Sequence, residues 1–143
     1  MTGGPVRDTQ AMIAGMAPRL DSQTYAFVSA EAPGQALDLM RQALATFRED
    51  EGLALIVPME AAEEAGIAAD AYARITLMVN SALDGVGLTA AVASCLAEAG
   101  IACNMVAAYR HDHVFVPAAE ANRALGLLRE IEARASEATE TED

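Results

Sequence analysis

A short glycine-containing segment, Gly85-Val86-Gly87-Leu88-Thr89, has the residue types best suited to binding a small anion. It follows a segment with alternating apolar residues, which is typical of a strand, and precedes an apolar run with helical spacing. Where a strand passes through a glycine into a helix, the first backbone N–H groups have no partner within the helix and can bind an anion. We therefore predict that Gly87 lets the backbone approach a ligand carboxylate, with the N–H groups of Val86 and Leu88 as donors. A tight turn in which the glycines serve only helix–sheet packing is the alternative.

The second candidate is His111-Asp112-His113, which the pattern places at a turn between two strands. Two histidines one residue apart in an extended strand lie on the same face, and a metal site can use that arrangement. They are the only histidines of the chain and no third ligand is evident, so we predict no metal. For Asp112 the sequence favours an Asx-type turn that stabilises the hairpin. Contact with the α-ammonium group of an amino acid is a second role for this carboxylate.

Catalytic patterns are not evident in the sequence. The consecutive acids Glu49-Asp50-Glu51 fall at a predicted hairpin tip, where such residues are usually solvated, and no second element supplies a paired general acid. The sequence also contains no Walker loop, no zinc-type cysteine spacing and no nucleophile elbow. We therefore predict a binding protein without a cofactor, and not an enzyme.

Composition excludes other classes of function. The chain has 143 residues, a net charge of −12 and nine basic residues, all of them arginine. An acidic surface of this kind repels phosphate backbones, so nucleic-acid binding is not expected. No apolar run approaches the roughly 20 residues that a membrane span needs, and the first eight residues lack the features of a secretory signal. We predict a cytoplasmic protein in which Cys95 and Cys103 are buried, reduced thiols.

The predicted helices and strands follow the same order twice, β-α-β-β-α. In the first half, the strands cover residues 25–30, 45–48 and 53–57, and the helices cover 38–43 and 59–65. In the second half, the first strand begins near residue 75, the second just after Gly100 and the third at Val114. The two helices of this half end near residues 99 and 135. Such split βαβ units form an antiparallel sheet with helices on one face. The predicted divisions are a flexible N-terminus (1–8), two halves (9–70 and 71–135) and a disordered acidic tail (136–143).

Two segments resemble the ACT domain, a regulatory fold. They are ATFREDEGLALIVP, at 45–58, and SALDGVGLTAAVASCLAEAGIACNMVAAYRHDHVFVP, at 81–117. They look like a family of small bacterial proteins with tandem ACT domains, and more distantly like the cytosolic arginine sensors and the regulatory modules of aspartate kinases. The resemblance extends from about residue 12 to 133 and implies an α+β, ferredoxin-like tandem ACT architecture, with antiparallel sheets and helices on one face. Arg110 departs from the pattern, because an aromatic residue is commoner there.

The resemblance implies a regulatory module that binds a small molecule, most naturally an amino acid. Its effector-facing edge corresponds to Ser81, Ala82 and Leu83 together with the glycine turn. The expected ligand-binding set is Ser81, Leu83, Val86, Gly87, Leu88 and Asp112. Because each half lacks the closing strand of an ACT unit, we expect a homodimer. The alternatives are a protein–protein adaptor without a ligand and, last, a metal-dependent enzyme that uses the two histidines.

Overall fold

The structure, a computed structural model, describes residues 4–141 of the chain, with side chains up to residue 138. The helices in this part of the chain are α1 (Thr9–Ala14), α2 (Pro33–Gln42), α3 (Met59–Glu64), α4 (Leu88–Glu98) and α5 (Ala121–Thr141), with a 3-10 turn at Ala118–Glu120. The strands are β1 (Pro18–Ala30), β2 (Ala45–Glu49), β3 (Gly52–Pro58), β4 (Tyr72–Leu77), β5 (Asn104–Ala107) and β6 (Asp112–Pro117). None of the helices within residues 4–141 is both long and apolar enough to cross a membrane.

The order of these elements confirms the predicted repeat. It reads β1-α2-β2-β3-α3 and then β4-α4-β5-β6-α5, which is β-α-β-β-α in both cases. The predicted α+β class is therefore confirmed. The strands come from segments rich in β-branched and aromatic residues, and the helices from segments with apolar residues three and four apart.

The chain forms two compact units that do not follow its two repeats. Ser22–Ala73 forms the central unit, and the residues up to Asp21 together with those from Arg74 onward form the terminal unit. Strand β1 begins in the terminal unit and ends in the central unit. The division into domains at 9–70 and 71–135 stays a prediction.

In the central unit the strand order is β2-β3-β1, and both pairings are antiparallel. Alternate residues of β1 and β3 form one side of its core, and α2 and α3 supply the other side. The buried members of this cluster are Ala26, Val28, Leu39, Leu55, Val57, Ala61 and Ala62. Gly52 has φ +145°, a backbone conformation that glycine adopts readily and that the tight β2–β3 hairpin connection requires.

In the terminal unit the strand order is β1-β4-β6-β5, and β5 pairs antiparallel with β6. Residues two apart on β4 and β6 are buried with apolar residues of α4 and α5, as expected for a sheet covered by helices on one face. These buried residues include Ile75, Leu77, Val92, Leu96, Val114, Val116 and Leu128. The helices on that face therefore hold β4 in place, and the turn that follows β4 is anchored at both ends.

Strand β1 is longer than the sequence predicts. The predicted strand begins at Tyr25, whereas β1 begins at Pro18 and includes the polar stretch between them. Proline is tolerated as the first residue of a strand, and this polar stretch carries no apolar alternation for local reasoning to detect. Pairing with β4 extends the strand, and that pairing joins segments more than 50 residues apart in the chain.

The acidic C-terminal segment also differs from the prediction. The sequence indicates disorder from residue 136, but α5 continues to Thr141, and only Glu142 and Asp143 lie outside the described residues. Its end is attached to α1, because the amide of Gln10 donates to the carbonyl of Ala135 at 3.0 Å. Ser136 donates to a carbonyl of α1 at 3.4 Å. These contacts add to the helix propensity of alanine and glutamate.

The two cysteines are unpaired, as the sequence predicts. Both are partly buried, and burial raises the pKa of the Cys95 and Cys103 thiols above its usual value. Both side chains are therefore protonated thiols at neutral pH.

Candidate ligand-binding site

The segment before α1 lies against the turn that follows β4. The N–H of Val6 donates to the carbonyl of Asn80 at 2.8 Å, and the N–H of Ala82 donates to the carbonyl of Val6 at 2.8 Å. These bonds form a parallel bridge between Val6 and Ser81. We call residues 4–9, which end at the first residue of α1, the N-terminal strap, and residues 80–87 the β4–α4 turn. The sequence predicts a flexible segment at residues 1–8; residues 1–3 lie outside the described part of the chain, and the strap is hydrogen-bonded from residue 6 onward.

Side chains of the strap extend this contact along the whole turn. Arg7 forms an exposed ion pair with Asp84, with 3.0 Å between Nε and Oδ1. Thr9 donates a hydrogen bond from its hydroxyl to the carbonyl of Val86. Asp8 accepts from the N–H of Ala11 at 2.8 Å and caps α1. The strap therefore covers the turn that was predicted to bind the ligand.

Gly87 is packed closely against the strap. It has φ +108°, and a β-carbon at this position would lie 2.6 Å from Cγ2 of Thr9. Its carbonyl accepts from the N–H of Ala91 at 2.9 Å, in the first turn of α4. This geometry supports a packing role for the glycine, and its role in ligand binding stays a prediction.

Asp112 and Ser81 are in direct contact. The hydroxyl of Ser81 donates to Oδ2 of Asp112 at 2.9 Å, which joins the β4–α4 turn to the start of β6. Nearby, Nδ1 of His111 lies 3.4 Å from the carbonyl of Val79, where it can act only as a donor. The predicted ligand residues Ser81 and Asp112 are thus brought together, although they are 31 residues apart in the chain.

His113 has a different environment. Its Nδ1 lies 3.0 Å from the hydroxyl of Thr76 on β4. Burial lowers the pKa of His113 below its usual value, and the positive charge of Arg74 lowers it further. The imidazole is therefore neutral at pH 7. Within the described residues, no three histidine, cysteine or acidic side chains are grouped closely enough to hold a metal.

A cavity of about 590 Å³ lies where the strap, the β4–α4 turn and the loop before β6 meet. Two of the predicted ligand residues, Ser81 and Leu83, line it, and Leu83 is 73% exposed. Of the other four, Val86 is exposed and Leu88 is buried. Those four, which include Gly87 and Asp112, are not part of the lining.

Sequence reasoning did not assign five polar lining residues to the site: Arg7, Asn80, Asp84, Tyr109 and Arg110. Arg110 departs from the ACT pattern, and this departure was an available signal. The position of Arg7 depends on the strap, which contacts residues more than 70 positions away. No local pattern in the sequence reveals such a contact.

Comparison with known proteins identifies the fold. Models of the ACT domain match residues 5–74 and residues 69–130. A Vibrio cholerae protein, described as a protein of unknown function and possible transport protein, is 41% identical, with a TM-score of 0.75 over 86% of this chain and 94% of that one. Among curated proteins there is no significant match.

Two less similar structures share the fold alone. A protein from Agrobacterium tumefaciens is 18% identical, with a TM-score of 0.62 over 80% of this chain and 87% of that one. The ligand-free regulatory subunit of aspartate kinase from Thermus thermophilus is 16% identical, with a TM-score of 0.54 over 80% and 95%. The predicted resemblance to tandem ACT proteins and to aspartate kinase regulatory modules is confirmed. Taken with the fold, the two domain matches and the 41% identity show that the chain belongs to the ACT-domain family and contains two ACT domains in tandem.

Proposed function

We propose that this protein is a regulatory module that binds a small amino acid or a related metabolite in the cavity beside the β4–α4 turn. ACT domains are typically ligand-binding regulatory modules. The observation that carries the proposal is the position of the cavity, which includes Ser81 and Leu83 at the edge that the ACT resemblance assigns to the effector. Its volume of about 590 Å³ falls in the range of small-molecule sites, which is roughly 300–1,000 Å³.

The proposed binding set keeps three of the predicted residues, Ser81, Leu83 and Asp112, and gives each a specific role. Ser81 and Leu83 contact the ligand from the turn, and Asp112 orients the hydroxyl of Ser81 and attracts the ligand's ammonium group. The N–H groups of Val86, Gly87 and Leu88, which the sequence predicts as donors to a carboxylate, lie outside the lining of this cavity and are not part of the proposed set.

A thermal-shift screen of the twenty amino acids, each with and without a chelator, tests this function. A ligand at 100 times its Kd stabilises the folded state by about 2.7 kcal/mol, which raises the melting temperature by several degrees. We expect at least one amino acid to do so, with no effect of the chelator. A shift that the chelator abolishes would favour the metal-dependent alternative, and no shift with any amino acid would favour the adaptor.

Asp112→Asn tests the site with the amino acid that scores in the screen. The substitution keeps an oxygen for Ser81 but removes the charge, and loss of a charge-assisted contact costs about 1.5–3 kcal/mol, or roughly ten- to a hundredfold in affinity. Asp50→Asn, at the exposed β2–β3 hairpin of the central unit, is the matched control and should bind like wild type. Calorimetry measures both variants, and unchanged binding by Asp112→Asn would place the ligand elsewhere.

We propose that the output of this module passes through a protein partner and that the chain itself does not catalyse a reaction. The adaptor alternative is favoured by one observation in the central unit, its exposed apolar side chains. Leu37 and Met40 on α2 are 53% and 48% exposed, and Phe47 on β2 is 73% exposed. The location of this protein in the cytoplasm stays a prediction.

Assembly as a homodimer is also part of the proposal. Strand β2 lies at one edge of the central sheet, and an exposed edge leaves backbone N–H and C=O groups for a partner strand. Light scattering at micromolar concentration should return a mass of twice 14.9 kDa. Replacing Phe47 by threonine, which keeps β propensity but removes the aromatic ring, should weaken a dimer formed through this edge. A wild-type mass of one chain would contradict the prediction.

A further inference from the structure

The charge of the cavity is opposite to that of the protein. The chain has 21 acidic residues and nine arginines, and its net charge is −12. The cavity nevertheless has two arginines, Arg7 and Arg110, and one acidic residue, Asp84, in its lining, so its charged side chains sum to +1. Such a local positive region attracts a small anion from solution.

Arg7 is held in place by the strap. The backbone of Val6 is hydrogen-bonded to the β4–α4 turn through both its N–H and its carbonyl, at 2.8 Å each, and Asp8 is fixed as the cap of α1. Arg7 lies between these two fixed residues. Its Nε contacts Asp84 at 3.0 Å, and a guanidinium has four further N–H donors on its terminal nitrogens. Those donors can bind a carboxylate in two-point fashion.

Arg110 contributes the second positive charge from the loop before β6. Its guanidinium carbon lies 5.9 Å from the centre of the Tyr109 ring, which gives the side chain an aromatic support. In the part of the chain that the structure describes, Arg110 has no ion pair with an acidic side chain. Its charge is therefore available to a ligand.

We infer that the cavity binds a small dicarboxylate, such as an acidic amino acid, with its two carboxylates at Arg7 and Arg110. This inference rests on the proposed function and adds the chemical class of the ligand. A neutral amino acid has only one carboxylate for the two guanidinium groups. A basic amino acid would bring a second positive charge beside the guanidinium groups of Arg7 and Arg110, which like-charge repulsion disfavours.

Calorimetry on the full chain at low salt tests the ligand class, with aspartate, glutamate and succinate compared with asparagine, glutamine and lysine. The amides have nearly the same shape as the acids, so they isolate the charge of the second carboxylate. We expect aspartate or glutamate to bind about ten- to a hundredfold more tightly than its amide. The affinity should fall as salt is raised, because the site is close to solvent. Inorganic phosphate is the control for unspecific anion binding.

Two variants test the residues, Arg7→Gln and Arg110→Gln, each expected to lower the affinity for the acidic ligand about ten- to a hundredfold. Arg48→Gln removes an exposed arginine of the central unit and is the matched control, with affinity like wild type. Thermal unfolding of each variant without ligand shows whether the strap is still in place. An Arg110→Lys variant that binds more tightly than Arg110→Gln would show that the positive charge at this position contributes to the affinity.

The outcomes separate this inference from the proposed function. Tighter binding of a neutral or basic amino acid would overturn the dicarboxylate inference and leave the proposed function standing. Equal affinity for phosphate, or unchanged affinity in both arginine variants, would also overturn the inference. No binding of any amino acid or of succinate would overturn both.

Discussion

Replacing Gly87 by alanine is expected to lower the free energy of unfolding by about 3 kcal/mol, through backbone strain and overpacking that each cost about 1–3 kcal/mol. The strain arises because φ is +108° there, and the overpacking arises because the new β-carbon would lie 2.6 Å from Cγ2 of Thr9. For a domain of this size the melting temperature should fall by roughly 6–12 °C. Thermal and denaturant unfolding measure the change.

A double-mutant cycle separates the two causes. Thr9→Ala removes the atoms that the new β-carbon would meet, so Gly87→Ala should cost about 1–2 kcal/mol less in that background. Gly100→Ala is the matched control, because Gly100 has φ +73° and nothing within 4 Å of an added β-carbon. It should cost about 1 kcal/mol, from strain alone. Equal costs at Gly87 and Gly100 would show that Thr9 does not occupy the space beside Gly87.

Asp21→Asn is expected to destabilise the terminal unit by about 2 kcal/mol, which is less than the roughly 3–5 kcal/mol that breaking a fully buried ion pair costs, because this pair is only partly buried. Oδ2 of Asp21 lies 2.6 Å from a terminal nitrogen of Arg74, and each side chain is only 19% exposed. Removing the carboxylate charge leaves the guanidinium of Arg74 in a largely desolvated position on β4. Denaturant unfolding gives the difference from wild type.

The ion pair between Glu130 and Arg134 on α5 is the matched control. Its atoms are 3.7 Å apart, and the side chains are 61% and 73% exposed. Exposed pairs at this helical spacing contribute about 0.3–0.5 kcal/mol, so Glu130→Gln should change stability by no more than that. If Asp21→Asn had an effect equally small, the pair with Arg74 would not contribute to the stability of the unit.

The order of helices and strands was predictable because each element has its own apolar periodicity. The β2–β3 hairpin was predictable for a further reason, since Gly52 marks the turn between two apolar runs. The early start of β1 and the helical C-terminal segment were not predictable. Pro18 and the polar residues after it become a strand by pairing with β4, and α5 continues past Ala135 through contacts with α1. Both depend on partners that are distant in the chain.

Some residues of the candidate site were predictable from the local sequence and others were not. The β4–α4 turn was found from its glycines, whose role is local, and Ser81 and Leu83 do line a cavity. The strap was missed because Val6 and Arg7 contact residues more than 70 positions later, and nothing in the strap's own sequence encodes that partner. A charged cavity formed by two such segments is visible only in three dimensions.

The insertion of the central unit into the terminal unit has a consequence for synthesis on the ribosome. The residues up to Asp21 form one unit with those from Arg74 onward. The terminal unit therefore cannot form until Ser22–Ala73 has been translated. At 5–20 residues per second, these 52 residues take roughly 3–10 s. Throughout that interval α1 lacks α4 and α5, the helices that it packs against in the folded protein, so a nascent-chain chaperone can reach Met12, which is buried after folding.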